Sequence, residues 1–155
     1  MFRRNAHSGF TILEIIIVIA ALGLLATLAA ISLTSSRARM RDAQRLSDVS
    51  VIRSAMSQFW LEKATYPVST GVSLHAPGTN TDSLSGDGFV AAASAQPPVY
   101  LASIPVGPNA NEFYRYKGNA NGYSIRFQTE RVTALGAANV YFLHSTGIDQ
   151  QDVEK

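Results

Sequence analysis

The sequence predicts an α+β fold in which one long N-terminal helix packs on a small antiparallel β-sheet. An uninterrupted apolar run covers residues 10–33, and an amphipathic pattern continues from there without Gly or Pro until Pro67. The last third of the chain alternates apolar and polar residues, as strands do. With 155 residues, 15% of them charged, and a net charge of +2, the chain is sized for one domain and is not a disordered tail.

The apolar run is long enough to cross a membrane. It has twenty-four residues, and Glu14 is the only charged one among them. A helix of that length spans roughly 36 Å at about 1.5 Å per residue, and a hydrocarbon core is about 30 Å thick. Residues 10–33 are therefore predicted to form a membrane-spanning helix.

A cleaved secretory signal peptide is an alternative for the same segment. Arg3 and Arg4 supply a basic start, and Ala30-Ile31-Ser32 has the small residues of a cleavage site. Against this, the run exceeds the about 7 to 15 apolar residues of a usual signal peptide. A charge inside a membrane helix costs about 2.5 to 3.5 kcal/mol on insertion scales, so Glu14 needs a partner.

The segment Gly9-Phe10-Thr11-Ile12-Leu13-Glu14 resembles the cleavage and methylation motif of type IV pilins and of the pseudopilins of type II secretion. The resemblance implies that residues 1–9 are a leader peptide, which prepilin peptidase removes between Gly9 and Phe10 before it methylates Phe10. It also implies that Glu14 neutralises the Phe10 amine of a neighbouring subunit during assembly. Alternatively, the Glu14 carboxylate reaches the cytoplasmic headgroups, because it lies one helical turn from the new terminus.

The same resemblance implies a structural protein, with no enzymatic activity. A single span would hold it in the inner membrane, with the head outside the cytoplasm. The N-terminal helix would then polymerise into a type IV pilus or a type II secretion-like pseudopilus. Its partners would be further copies, other pilin-like subunits, prepilin peptidase and the inner-membrane assembly platform. The alternative is a minor pilin or a membrane-anchored binding module that captures DNA or surfaces.

The basic residues after the span favour the opposite orientation in the membrane. Two arginines precede the span, and the flank richer in arginine normally stays in the cytoplasm. The flank after the span holds four: Arg37, Arg39, Arg41 and Arg45. The leader motif outweighs this count, and Asp42 and Asp48 lie at helical spacing to pair with some of these arginines.

Nucleic-acid binding gets little support from the charge distribution. Without Arg3 and Arg4, the thirteen basic residues fall to eleven, which equals the number of acidic residues. Residues 65–98 contain no Lys or Arg. DNA capture would depend on four basic residues near the predicted sheet: Arg115, Lys117, Arg126 and Arg131.

The helix is predicted to continue as an amphipathic segment over residues 34–66. Its apolar residues recur at helical spacing: Val49, Ile52, Met56, Phe59 and Trp60. Pro67 disfavours helical backbone at Tyr66, where the helix is expected to end. Residues 67–98 are rich in Ser, Thr, Gly, Asn and Asp and are predicted to form a polar surface loop, which resembles the αβ region of pilins.

Residues 99–155 are predicted to form an antiparallel sheet of three or four strands and a C-terminal tail. Residues 113–117 and 123–130 make a hairpin around a Gly- and Asn-rich loop, and residues 139–144 add a strand. Alternation along the hairpin directs one set of side chains toward the helix: Tyr114, Tyr116, Tyr123, Ile125 and Phe127.

Few residues suggest a cofactor or a catalytic group. The absence of cysteine excludes disulfides and Cys-ligated metals. No cofactor is predicted, and two aspartates in a polar tail are more often simply solvated. The resemblance to pseudopilins leaves a calcium site near the C-terminus as an alternative, with Asp149 and Asp152 as the candidate ligands, because calcium prefers carboxylate oxygens. His144, Ser145 and Asp149 lack the strand-to-helix elbow and oxyanion loop of a hydrolase, so no catalytic residue is expected.

Overall fold

The computed structural model describes residues 9–155, so the predicted leader lies outside the described residues except for Gly9. Contacts divide the chain into two units, one ending at Arg37 and one running from Ala38 to Lys155. Helix α1, Ile12–Lys63, begins in the first unit and ends in the second. The second unit is called the head below.

The first unit consists mainly of the N-terminal part of α1. The large apolar side chains of residues 10–33 are all exposed, and hydroxyl groups along the helix bond to its own backbone. Thr27 Oγ1 donates to the Leu24 carbonyl oxygen at 2.7 Å, for example. By length and composition, α1 is the one described helix that could cross a membrane. The predicted long apolar helix is confirmed.

In the head, α1 buries one face. Its buried residues recur at intervals of three and four: Ala38, Asp42, Arg45, Val49, Ile52, Ala55, Met56 and Phe59. Trp60 was predicted to belong to this face, but its side chain lies at the edge. It is 36% exposed, and its ring stacks on Tyr66 with the centroids 4.6 Å apart.

Helix α1 ends three residues before the predicted position. Ala64 has a φ of 53°, a left-handed conformation that ends the helical path. Two residues later the Tyr66 N–H donates to the Ala120 carbonyl oxygen at 3.2 Å, so the chain has already joined the sheet region before Pro67. Contact with the sheet, rather than proline alone, determines where the helix stops.

The head contains two antiparallel sheets. Their strands are β1 Ser69–Ser73, β2 Ser83–Ser85, β3 Gly88–Val90, β4 Val99–Leu101, β5 Arg115–Gly118, β6 Tyr123–Gln128, β7 Val140–Leu143 and β8 Ile148–Asp149. The five-stranded sheet has the order β1-β5-β6-β7-β8, and the three-stranded sheet has the order β3-β2-β4. The predicted hairpin is β5–β6, and the predicted last strand is β7; the prediction of three or four strands was too low.

The prediction of a loop without strands over residues 67–98 was wrong. This segment supplies β1, β2 and β3, and β1 extends the larger sheet by pairing with β5. Buried serines replace the apolar residues that strand prediction requires, because their hydroxyl groups find partners inside the head. Ser83 Oγ, for instance, donates to the Leu101 carbonyl oxygen at 2.9 Å.

The inner face of the β5–β6 hairpin provides the aromatic part of the core. All five side chains predicted to face inward are buried. Tyr114 Oη donates to Asp48 Oδ2 at 2.7 Å, and Tyr116 Oη donates to the Pro67 carbonyl oxygen at 2.6 Å. Burial raises the pKa of both phenols. The rings therefore fill the space against α1 while their hydroxyl groups stay hydrogen-bonded.

Candidate functional site

The residues that resemble a processing motif stand at the start of α1. Gly9, Phe10 and Thr11 precede the helix. The Phe10 side chain is 79% exposed, and a Cβ atom placed on Gly9 would meet no atom within 4 Å. The bond between Gly9 and Phe10 therefore lies in exposed, non-helical backbone, which is the kind of backbone that peptidases cut most readily.

Thr11 caps the N-terminus of α1. The Glu14 N–H donates to Thr11 Oγ1 at 3.2 Å, and the Ile15 N–H donates to the Thr11 carbonyl oxygen at 3.3 Å. The cap satisfies an N–H group that the first turn leaves without a helical partner. Thr-x-x-Glu before an apolar run is a known capping pattern, so the cap was predictable from the sequence although it was not predicted.

Glu14 lies in the first turn of α1 and is exposed. It makes no ion pair with any residue in the range 9–155. The helix dipole favours a negative charge in the first turn, and this interaction helps to stabilise Glu14 at its position. The carboxylate is free to pair with a cation from outside the described chain.

A network of ion pairs, here called the Arg45 cluster, links α1 to the sheet region. Its members are Arg41, Asp42, Arg45, Glu112 and Glu130. The side chain of Arg45 is 3% exposed and contacts three carboxylates: Asp42 at 2.7 Å, Glu112 at 2.5 Å and Glu130 at 2.8 Å. Arg41 donates to both oxygens of Glu130.

Asp42 also holds the backbone that follows β6. Its two carboxylate oxygens accept from the N–H groups of Glu130 at 2.9 Å and Arg131 at 2.8 Å. The predicted pairing of Asp42 with an arginine at helical spacing is confirmed for Arg45. Asp48, the other acidic residue in that prediction, accepts a hydrogen bond from Tyr114 instead.

Two carboxyl groups of the Arg45 cluster, those of Glu112 and Glu130, are ionised at neutral pH. Hydrogen bonds from Arg41, together with those from Arg45, lower the pKa of Glu130 to about 2. Hydrogen bonds from Arg45 lower the pKa of Glu112 as well. No local pattern in the sequence reveals this cluster, because Glu112 and Glu130 lie 67 and 85 residues from Arg45.

The two candidate calcium ligands are each paired with a different lysine. Asp149 accepts from Lys155 at 2.7 Å, and Asp152 accepts from Lys117 at 2.8 Å. These hydrogen bonds lower the pKa of both carboxyl groups. Residues 9–155 hold no group of three or more His, Asp or Glu that could bind a metal. Both carboxylates are thus hydrogen-bonded to lysines, and the calcium site stays a prediction from the resemblance.

The residues weighed as a hydrolytic triad do not form one. His144 is buried, and its Nε2 lies 3.0 Å from Asp149 Oδ1. Ser145, however, donates its hydroxyl to the Lys155 carbonyl oxygen at 2.8 Å rather than to His144. The three side chains therefore lack the serine-to-histidine contact that activates a nucleophile.

Comparison with known proteins connects the start of α1 to a family motif. Residues 4–30 match the family model of the prokaryotic N-terminal methylation motif. The chain is also 33% identical over 67 residues to the type II secretion system core protein G of Klebsiella michiganensis. It is 30% identical over 67 residues to the protein of the same name from Aeromonas hydrophila. The chain carries a prepilin-type methylation motif and is homologous to core protein G.

The matches to core protein G cover 43% of this chain and 47% of each relative, so the chain spans about half the length of the curated relatives it matches. No solved structure gives a significant match. The resemblance to pilins and pseudopilins is confirmed by the motif and by this homology. One long apolar helix with antiparallel sheets packed on its head portion is the α+β, pilin-like arrangement that the resemblance implies.

Replacing Arg45 by methionine should destabilise the head by about 3 kcal/mol, because three carboxylates lose a buried partner. Urea unfolding of the detergent-solubilised chain, followed by the fluorescence of Trp60, measures the loss. Arg39→Met is the matched control, since Arg39 lies exposed on the same helix and forms no ion pair within residues 9–155; we expect a change of about 0.5 kcal/mol or less. A similar small change for Arg45→Met would show that the cluster contributes little.

The stability of the head should fall as the pH decreases from 4.5 toward 2. Folding lowers the pKa of Glu130 from 4.5 to about 2. The Glu130 carboxylate therefore contributes fully to the free energy of unfolding above pH 4.5, and this contribution is lost as the pH falls toward the folded-state pKa of about 2. Unfolding midpoints across this range should decrease less steeply for Glu130→Gln than for the wild type. Asp87→Asn, at an exposed carboxylate, should retain the wild-type slope. Equal slopes in all three proteins would contradict the prediction.

Proposed function

We propose that this protein is a structural subunit of a type IV pilus or a type II secretion-like pseudopilus, and not an enzyme. The observation that carries the proposal is the exposed apolar surface of residues 10–33. Ile12, Leu25 and Ile31, for example, are 79%, 62% and 68% exposed. Such a surface is stable in lipid or against equivalent helices. A filament subunit uses these two environments in succession.

We propose that prepilin peptidase cuts between Gly9 and Phe10, which removes residues 1–9 as a leader, and then methylates Phe10. The exposed backbone at this bond and the match of residues 4–30 to a methylation motif support this step. The mature helix would begin with residues 10–33 as membrane span and filament core. Residues 34–66 would continue it into the head.

We propose that Glu14 pairs with the Phe10 amine of a neighbouring subunit. A carboxylate without a partner is unfavourable in lipid, whereas two opposite charges about 4 Å apart attract by about 4 kcal/mol at an intermediate dielectric constant. Assembly would supply the partner that the isolated subunit lacks. The contact would also fix the register of adjacent helices, because Glu14 is the only charge in the apolar run.

We place the head outside the cytoplasm, with the span in the inner membrane before assembly. The four arginines after the span favoured the opposite orientation. Arg41 and Arg45, however, belong to the Arg45 cluster, so their ion pairs within the head account for both residues in either orientation. The remaining Arg37 and Arg39 equal in number the two arginines at the start of the chain. The leader motif then decides the orientation.

A minor pilin or a membrane-anchored binding module for DNA or surfaces is the second candidate. One observation favours it: Arg115 and Arg126 are exposed side by side on the larger sheet. The type II secretion proteins that share homology with the chain favour the first candidate, whose partners would be further copies, other pilin-like subunits and the inner-membrane assembly platform.

Expression with prepilin peptidase should yield a mature chain that starts at Phe10 and carries one added methyl group. Gly9→Val should block this processing, because a branched side chain stiffens and crowds the backbone at the cleaved bond. Gly23→Val is the matched control and should be processed normally, since Gly23 also has open space around it. Intact-mass measurement and N-terminal sequencing distinguish the products. A chain that starts near Ser32, or one that stays uncut, would refute the proposed processing.

Glu14→Gln should leave processing and membrane insertion unchanged but reduce the yield of sheared filaments by at least about tenfold, because the amine of the neighbour loses its counter-charge. Glu62→Gln removes a charge from the exposed, C-terminal part of the same helix and should assemble like the wild type. Filament yield is measured relative to total mature protein by immunoblotting. Wild-type yield from Glu14→Gln would contradict the assembly role.

A further inference from the structure

Two arginines lie opposite each other on the outer face of the five-stranded sheet. Arg115 of β5 pairs directly with Arg126 of β6, and both side chains are exposed. Like charges in this arrangement repel and destabilise a sheet. Within residues 9–155, neither guanidinium group forms a hydrogen bond or an ion pair. The stability of the head does not explain why two cations occupy this position.

The adjacent row of the same face is neutralised. Lys117 and Ser124 form the next cross-strand pair, and Asp152 of the tail accepts from both, at 2.8 Å and 3.2 Å. This contact buries Ser124, which alternation predicts to face outward. Arg115 interacts with Asp152 only through longer-range electrostatic attraction, which is weaker than the hydrogen bonds from Lys117 and Ser124. The tail therefore supplies an anion to one row and leaves the arginine row without one.

The fold leaves space for the arginine pair on both sides. The guanidinium group of Arg115 lies against Gly71 of β1, where a Cβ atom would come within 3.0 Å of its Nη2. Arg126 borders a cleft of about 430 Å³. Its lining includes the amide side chains of Asn109, Asn111 and Gln128, and also the carboxylates of Glu112 and Glu130, which Arg45 already pairs. The amide groups of Asn111 and Gln128 beside Arg126 can donate to an incoming turn that carries a carboxylate.

The head itself exposes such a turn. Asp87 lies between β2 and β3, and its side chain is exposed. Its backbone N–H donates to Ser85 Oγ, but its carboxylate has no partner within residues 9–155. The surrounding segment, residues 65–98, contains no Lys or Arg, and the cation at this turn is the ammonium group of Lys63, which lies beside Gly86 without forming an ion pair to Asp87. This turn belongs to the three-stranded sheet, whereas the arginine pair belongs to the five-stranded sheet.

We propose that the Arg115–Arg126 pair of one copy binds the Asp87 carboxylate of a second copy. A carboxylate between two guanidinium groups accepts hydrogen bonds from both and converts their repulsion into attraction. The two patches are different surfaces, so the contact is heterologous and repeats from copy to copy, which generates a ring or an open helical filament. The inference rests on the proposed function as a filament subunit and adds a head-to-head contact to it.

A protein carboxylate fits this pair better than nucleic acid does. Non-specific DNA binding draws on many phosphate contacts, and the affinity decreases with each contact that is missing. The face offers two free arginines, because Lys117 is already paired. Two phosphate contacts would give only weak binding, whereas one carboxylate matches a pair of arginines.

A zero-length carbodiimide cross-linker tests the contact in assembled filaments, because it joins a carboxylate to an amine only when the two groups touch. Arg126→Lys keeps the charge and introduces the amine. We expect mass spectrometry to find an amide bond between position 126 and Asp87, and mixed isotope labelling to show that it joins different copies. Arg126→Lys combined with Asp87→Asn should lose this product. Its absence from Arg126→Lys filaments would overturn the proposal.

Charge reversal tests the function of the same contact. Arg126→Asp and Asp87→Arg should each lower the yield of sheared filaments, by about tenfold, and the double variant should recover it because the pair is restored with opposite signs. Lys117→Gln, on the same strand face, should assemble like the wild type. Unchanged Trp60 fluorescence and unfolding midpoint establish that the single variants fold.

The possible outcomes separate this inference from the proposed function. If the wild type is neither processed nor assembled, the proposed function fails. If the wild type assembles and both charge reversals assemble equally well, the head contact alone is refuted. If Arg115→Gln with Arg126→Gln assembles normally but loses binding to a labelled DNA duplex, the pair serves nucleic acid and the inference is overturned.

Discussion

The buried guanidinium group of Arg45 is the interaction on which the architecture of the head depends. Removing a charge from water is strongly unfavourable unless carboxylates surround it. Asp42 comes from the helix, Glu112 from the segment before β5 and Glu130 from the segment after β6. The helix and both ends of the central hairpin must therefore meet at one point. The aromatic core beside this point is positioned by the same constraint.

The head and residues 10–33 differ in how they bury their apolar side chains and pair their polar groups. The head buries the aromatic rings of the β5–β6 hairpin and pairs the buried hydroxyl groups of Ser83, Tyr114 and Tyr116 internally. Residues 10–33 pair their backbone within one helix but leave their apolar side chains exposed. The head is complete as a folded body, whereas the apolar run requires surroundings that another molecule or a bilayer provides.

Residue patterns predicted the features that depend on short-range periodicity. The apolar run, the motif around Gly9 and Phe10, and the inward face of the β5–β6 hairpin all belong to this group. The strands between residues 67 and 98 were missed because hydrogen-bonded serines, which carry no hydropathy signal, fill their buried positions. The partners of Arg45 were missed because ion pairs across 67 and 85 residues leave no local trace. The pairing of Asp149 with Lys155 was not predicted either, because charge pairs within a polar tail have no distinctive sequence pattern.

The cap formed by Thr11 has an electrostatic consequence for the terminus that processing would create. Because the helix begins at Ile12, the amine released on Phe10 would lie just beyond the positive end of the helix macrodipole. A cation is disfavoured there in an isolated subunit. A carboxylate supplied by a neighbouring subunit would offset that repulsion. The carboxylate would also gain a cationic partner for itself. The polarity of the peptide backbone would thus itself favour joining one subunit to the next.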